Sequence, residues 1–332
     1  MRCCFLKYCV VYVYMEEPIR LGYACLNTAL REDDIFSSRG IILKNANLKG
    51  VGELHRLVLA NIEDTATILK WNESNGIRNF RLTSGLLPHY TNPRLEYRYT
   101  MDFAEKPLAD LGAYARRHGH RLTTHPDHFS YMIASPMPTI CEHSVNDLKM
   151  HDELLTRIGC GPDGTLCIHL GGTYGDKAST LERWVTAYRN LPAGVQQRIV
   201  LENDEWNWGV NDVLPLCERM HIPFVLDWFH NSVSGDRVNL DDKTLDRVLK
   251  TWQRAGVRPL MHYSEQSPGK RKGSHSDLVE SLPADLLSIP RKFGVGVDVD
   301  LECKLKEQSV IRMYEKYFDR TTADNRVIWR LR

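Results

Sequence analysis

From Ile19 onward, apolar and polar positions repeat one theme: a short run rich in β-branched and aromatic residues, a polar loop, then a stretch whose apolar positions recur every three or four residues. Eight such runs read as strands: Ile19–Tyr23, Asn79–Leu82, Arg121–Thr124, Leu166–His169, Ile199–Glu202, Phe224–Asp227, Leu260–Tyr263 and Val295–Glu302. Between the first two, Leu54, Leu57, Val58, Ile62, Ile68 and Leu69 recur as one face of a helix requires. Further helices are predicted near 107–118, 144–158, 179–190, 210–220, 242–254 and 305–318, with a short one near 275–282. Strands alternating with helices imply a parallel sheet with crossover helices. With no Gly/Ser linker to divide the chain, the pattern predicts an α/β fold, a single (β/α)8 TIM barrel over residues 16–332. An open doubly wound sheet is the alternative. It would need a Gly-rich phosphate turn after its first strand, and Gly22-Tyr23-Ala24-Cys25 is not one.

Composition narrows the class. At 332 residues, 26% charged and 42% hydrophobic, the chain has an ordinary globular balance, which excludes disorder, collagen and coiled coil. A net charge of +1 argues against holding nucleic acid by bulk electrostatics, although a basic groove can coexist with a site full of carboxylates. The nine cysteines form no C-x-x-C pair, which suits a reducing compartment, cytoplasmic or nuclear. Residues 1–15, MRCCFLKYCVVYVYM, form a dense apolar run, but Lys7 interrupts it and it falls short of the roughly 20 residues of a membrane span. It is expected to be an extra strand or a leader ahead of a start at Met15, and no membrane partner is expected.

Residues able to bind metal stand at the carboxyl ends of the third to eighth predicted strands: His125, His169, Glu202, Asp227 with His230, His262, and Glu302. In a barrel these ends converge on the face that carries active sites. His275 follows in the loop after strand seven. One such histidine is ordinarily a surface or hydrogen-bonded residue, but chance does not place five histidines and three carboxylates where apolar strands end. Imidazole plus carboxylate without thiolate suits manganese, zinc or iron rather than structural zinc. Eight ligands imply two or three ions, the arrangement that activates water for phosphodiester hydrolysis. His118 and His120 at a helix end, and His55, His151 and His221 on helical faces, are assigned no function; His89 and His143 stay undecided, and the cysteines read as core or surface residues. Lys270-Arg271-Lys272, just before His275, could grip phosphates or be a solvated loop.

With those residues in place, the chain resembles the ultraviolet damage endonucleases of the UvdE/UvsE type, barrel relatives of endonuclease IV. The matching stretches are LGYACLN at 21–27, THPDHF at 124–129, HLGGTYGDK at 169–177, LENDE at 201–205, LDWFH at 226–230, HYSEQ at 262–266 and ECKLKE at 302–307. The resemblance implies a metal-dependent DNA repair endonuclease, acting as a monomer on damaged double-stranded DNA. It would incise 5′ of UV photoproducts, with abasic sites and other distorting lesions as further substrates. It assigns the same eight ligands, two or three divalent ions with manganese foremost, a bridging role to Glu202, and catalytic roles to Glu202, Asp227, His262 and Glu302. It also places Tyr23 and Asn27 beside the lesion, as an exposed aromatic and its polar neighbour.

Two departures stand out. The family's Gln-Tyr wedge is His128-Phe129 here, and a Lys expected two residues before the strand-seven His, linked in the family to carboxylation near the metals, is Leu260. Leu cannot be carboxylated, so the geometry of the site or its damage range is where this chain would differ. The competing readings are a sugar isomerase or epimerase of the same barrel superfamily, which typically needs one or two ions, and a damage-recognition protein with weakened catalysis.

Overall fold

The structure is a computed structural model and describes residues 17–127 and 131–332. Eight parallel strands close into a barrel in chain order: β1 (Ile19–Ala24), β2 (Asn79–Leu82), β3 (Arg121–Thr124), β4 (Leu166–Ile168), β5 (Ile199–Glu202), β6 (Phe224–Asp227), β7 (Leu260–Tyr263) and β8 (Val297–Leu301), which pairs back onto β1. Closure excludes the open doubly wound sheet. The crossovers carry α1 (Leu43–Lys49), α2 (Val51–Ser74), α3 (Glu105–His118), α4 (Pro138–Ile158), α5 (Lys177–Arg189), α6 (Ala193–Arg198), α7 (Val210–Met220), α8 (Trp228–Val233), α9 (Asp242–Ala255) and α10 (Ala284–Phe293), and α11 (Lys306–Tyr317) follows β8.

Alternation along each strand divides the molecule into two apolar zones. The larger lies between sheet and helices and takes one set of strand side chains, such as Leu21, Phe80, Leu122, Ile168, Leu201, Leu226, Met261 and Val299. The smaller one, Cys167, Val200, Val225 and Leu260 with Trp252, lies on the opposite parity, toward the barrel axis. The rest of that inner parity is strongly polar, unlike the branched aliphatic filling usual in this fold. The β8 stretch Val297-Asp298-Val299-Asp300-Leu301-Glu302 sends its three acids inward. Asp298 closes the floor by pairing with Arg20 (2.7 Å), Arg121 (3.0 Å) and Arg258 (2.8 Å). One layer up, Asp300 accepts from Asn79 Nδ2 (2.7 Å). Gly22 is needed here because a Cβ at that position would lie 2.3 Å from the Asn79 carbonyl and 2.8 Å from Asp300 Oδ1.

Several expectations are corrected at element ends. His169 and Glu302 lie just beyond β4 and β8 rather than inside them, and α4 begins at Pro138, whose ring suits the first helical turn, not near 144. No helix forms over 275–282. Its backbone donors are taken elsewhere: Ser276 by the Glu265 carbonyl, Val279 by Ser309 Oγ, Glu280 and Ser281 by the Glu265 carboxylate. The helix comes later, as α10. A C-terminal hairpin, β9 (Phe318–Ala323) and β10 (Arg326–Leu331), turns through Asp324 and Asn325 at φ 49° and 60°, left-handed values that tight hairpins require. Trp329 of this hairpin stacks on Tyr314, centroids 4.9 Å apart.

Candidate metal centre and its rim

The carboxyl ends of β3 to β8 bring the eight expected ligand residues into one cluster around Glu202, which is 1% exposed. Its Oε1 lies 3.0 Å from His262 Nδ1 and 3.5 Å from His230 Nδ1, and its Oε2 lies 3.1 Å from His125 Nε2 and 3.5 Å from His169 Nε2. Glu302 Oε1 lies 3.3 Å from His262 Nδ1, and its Oε2 lies 3.9 Å from His275 Nδ1. The imidazoles form a chain: His125 to His169 at 5.2 Å between centroids, His169 to His230 at 5.8 Å, His230 to His275 at 6.0 Å.

Local structure fixes these side chains. Asp227 ends β6 and caps α8, its Oδ1 accepting the His230 backbone N–H (2.7 Å), which places both residues of the Asp-x-x-His pair on one side of the turn. Asn203, directly after Glu202, ties β5 to β6: its Nδ2 donates to the Asp227 carbonyl (3.0 Å) and its Oδ1 accepts the Asp227 N–H (2.9 Å). His275 is oriented by its Nδ1 against the Glu302 carbonyl.

Proton affinities in the cluster diverge. Burial alone would neutralise His262 and His230, but Glu202 and Glu302 around the first, and Asp227, Glu202 and Glu205 around the second, push them up to about 9 and about 10. Burial and the neighbouring rings hold His169 down to about 4, and burial raises Asp227 to about 6. Burial works against the Glu202 carboxylate too, yet His262 and His169 keep it well below the usual carboxylate range.

This donor set fits divalent ions. Two groups, His125–Cys167–Glu202 and Glu202–Asp227–His262, each place a ligand atom from every member within 4.8 Å of one another, and Glu202 is common to both. A shared buried carboxylate suits a bridge between two cations. Asp227 Oδ2 and His262 Nε2 are buried without a hydrogen-bond partner among the described residues. Divalent ions would displace protons from imidazoles of this kind.

The rim residues differ in outcome. Lys270, Arg271 and Lys272 are exposed in the loop after β7. His128 and Phe129 lie outside the described residues. Tyr23 and Asn27 are not exposed: they are 0% and 1% accessible. Tyr23 falls on the outward parity of β1, its hydroxyl donating to Asn72 Oδ1 of α2 (2.6 Å) and accepting from Asn27 Nδ2 (3.0 Å). The pair therefore offers no open ring face for stacking. Leu260 is fully buried in the inner apolar cluster.

Three neighbours of the cluster escaped the sequence reading. Arg81 of β2 forms an ion pair with Glu302 Oε1. Cys167 donates its thiol to Glu202 Oε2 (3.4 Å), and burial pushes that thiol well up. Asp300 faces His262 Nε2 at 3.8 Å. For Cys167 and Asp300 the signal was parity, since each lies two positions before an inward residue already identified, His169 and Glu302; Arg81 had no such neighbour, and a polar side chain inside a strand does not announce its direction.

Residues 19–327 match the model of the family described as UV-endonuclease UvdE. A protein of Acanthamoeba polyphaga mimivirus, provisionally named a UV-damage endonuclease, is 44% identical over 315 residues, covering 94% of this chain and 95% of that one. The UV-damage endonuclease of Schizosaccharomyces pombe is 35% identical over 324 residues, 91% of this chain but 52% of its own, so this chain spans about half that relative's length. The crystal structure of SacUVDE superposes with a TM-score of 0.78 at 27% identity, over 89% of this chain and 96% of the other. By sequence and by fold, the chain belongs to the UV-endonuclease UvdE family.

Proposed function

We propose that this chain is a metal-dependent DNA repair endonuclease that cuts one strand of damaged duplex on the 5′ side of UV photoproducts, and of abasic sites and other distorting lesions. The observation that carries this reading is the shared position of Glu202 between two sets of donor atoms. Two or three divalent ions, manganese foremost with zinc as an alternative, would supply Lewis acidity for attack of water on the phosphodiester. His125, His169, His230, His262 and His275, with Glu202, Asp227 and Glu302, would hold them. Glu202 would bridge, while Asp227, His262 and Glu302 set the charge and geometry around the scissile phosphate. Arg81 keeps Glu302 turned toward His262, and the β5–β6 tie through Asn203 holds Asp227 in register with Glu202. Lys270, Arg271 and Lys272 would take flanking phosphates. The isomerase reading loses ground because eight donors exceed what its one or two ions need, and because of the family to which the chain belongs. Among the described residues no helix is long and apolar enough to cross a membrane.

Replacing Glu202 by Gln tests the proposal. The amide keeps the shape and removes the charge that bridges two cations. A labelled duplex with a pyrimidine dimer or an abasic site, incubated with Mn²⁺, should be nicked 5′ of the lesion by the parent and not by Glu202→Gln, with binding to damaged DNA retained. Activity of the variant within about tenfold of the parent, close to the 1.4 kcal/mol scale of a minor perturbation, would remove Glu202 from this role.

A further inference from the structure

Trp206 follows Glu202 by four positions, in the loop after β5, and leaves 54% of its surface in water. Its neighbour Trp208 shows what the fold does with an indole it means to bury: Trp208 is 0% exposed and its Nε1 donates to the Gly171 carbonyl (2.7 Å). Burying an aromatic ring of this size is strongly favourable, so a largely exposed one is left out at a cost. The loop is not slack. Asp204 Oδ1 accepts the backbone N–H groups of Trp206 (2.8 Å), Asn207 (2.5 Å) and Trp208 (3.0 Å), and the Asp204 N–H returns to the Trp208 carbonyl (2.8 Å).

Two cations from the loop after β7 lie over the same ring, Arg271 Cζ at 5.1 Å and Lys272 Nζ at 5.8 Å from its centroid. Neither makes an ion pair with a carboxylate among the described residues. Their loop is also built: the Gln266 side chain accepts from the Gly273 N–H (2.9 Å) and donates to the carbonyls of Ser267 (3.1 Å) and Arg271 (3.0 Å). Gly273, at φ 83°, lets the two loops meet, since a Cβ there would lie 2.8 Å from Glu205 Oε1. Glu205 Oε2 in turn lies 3.7 Å from His230 Nε2. An exposed indole, two uncompensated cations and a metal-ligand residue on each flank, Glu202 before and His275 after, are thus held together at the mouth of the site.

We infer that Trp206 is a base-stacking platform: a nucleobase displaced from the helix at the lesion lies on the indole, while Arg271 and Lys272 hold the phosphates beside it. Aromatic surface bordered by free cations is how proteins hold unstacked nucleotides without reading sequence, and a damaged step opens more readily than an intact one. The inference rests on the endonuclease reading above and names a residue through which damage would be distinguished from intact duplex.

The test compares Trp206→Ala and Trp206→Phe with the parent on three readouts: affinity for duplex with a pyrimidine dimer, affinity for the same duplex intact, and the salt dependence of each. Trp206→Ala should lose roughly ten- to a hundredfold in affinity for the lesion duplex, the range of alanine substitutions at stacked bases. It should keep its affinity for intact duplex and the slope against salt, and Trp206→Phe should recover most of the loss. If the ring merely braces the basic loop, Trp206→Ala will weaken both duplexes equally and lower the salt slope, and the stacking role falls. Unchanged lesion affinity also overturns it. Absence of a nick by the parent protein on lesion duplex would instead remove the endonuclease reading itself, and the platform with it.

Discussion

Asp300 illustrates how much of the site depends on a residue that touches no substrate. It is buried, its Oδ1 holds Asn79, and its Oδ2 faces the back of the His262 ring at 3.8 Å. Burial raises it to about 6, with His262 and Arg81 working the other way. A carboxylate behind a ligating imidazole fixes the ring's tautomer and aim, and removing such a partner typically costs roughly 10–100-fold in metal affinity. Asp300→Asn should therefore lower the affinity for Mn²⁺, measured by direct titration, by about that factor. Its melting curve should stay close to the parent's, because Asn can still accept from Asn79. Equal metal affinity would show that His262 is aimed by Glu202 and Glu302 alone. The proposed ligand residues at the ends of β3 to β8 were legible in the sequence because they close apolar runs, whereas His275 was singled out in the polar loop that follows. Asp300, Arg81 and Cys167 were not, because their direction depends on strand parity that only the closed barrel fixes. Tyr23 was misread for the same reason: it takes the outward parity of β1 and meets α2.

At the level of elements, the loop from β7 to α10 departs most from its sequence pattern. Apolar spacing in 275–282 suggests a helix, but Glu265 and Ser309 capture its backbone donors and leave an irregular strap that carries His275 inward and the basic tip outward. The strand and helix positions elsewhere follow from periodicity to within a few residues; the capture by Glu265 is tertiary and has no local signature. If the tip meets DNA phosphates, replacing Lys270, Arg271 and Lys272 together by Ala should flatten the plot of log affinity against log salt. Each lost phosphate contact removes about 0.9 from that slope. Binding should weaken on damaged and intact duplex alike. An unchanged slope would show a loop that is only solvated.

Across the whole molecule, the barrel floor ties distant parts of the chain through Asp298. Arg20 comes from β1, Arg121 from β3 and Arg258 from the turn before β7, and all three meet one fully buried carboxylate. Burial opposes its charge, yet the three guanidinium groups hold it well below the usual carboxylate range. Asp298→Asn would leave the buried Arg121 and Arg258 and the partly buried Arg20 without this counter-charge, a loss of about 3–5 kcal/mol in unfolding free energy near neutral pH. The sign of its pH dependence follows from the depressed value. The carboxylate's contribution is complete above the unfolded value near 4 and is lost as pH falls further toward its folded value. Denaturant unfolding of parent and variant should therefore differ most at neutral pH and converge as pH drops below about 4. A gap that is constant across that range would mean the carboxylate is not what stabilises the floor.

The alternation in β8 joins these scales. Asp298, Asp300 and Glu302 point inward because Val297, Val299 and Leu301 point outward, and β8 is also the strand that seals the barrel against β1. A slip of one residue would turn every side chain of the strand over, driving three acids into the apolar layer and three aliphatics into the site. Misalignment at the seam is thereby penalised on both faces at once. Register at the seam and placement of Asp298, Asp300 and Glu302 are thus one and the same arrangement, so a barrel that closes in register also sets its inward acids in place.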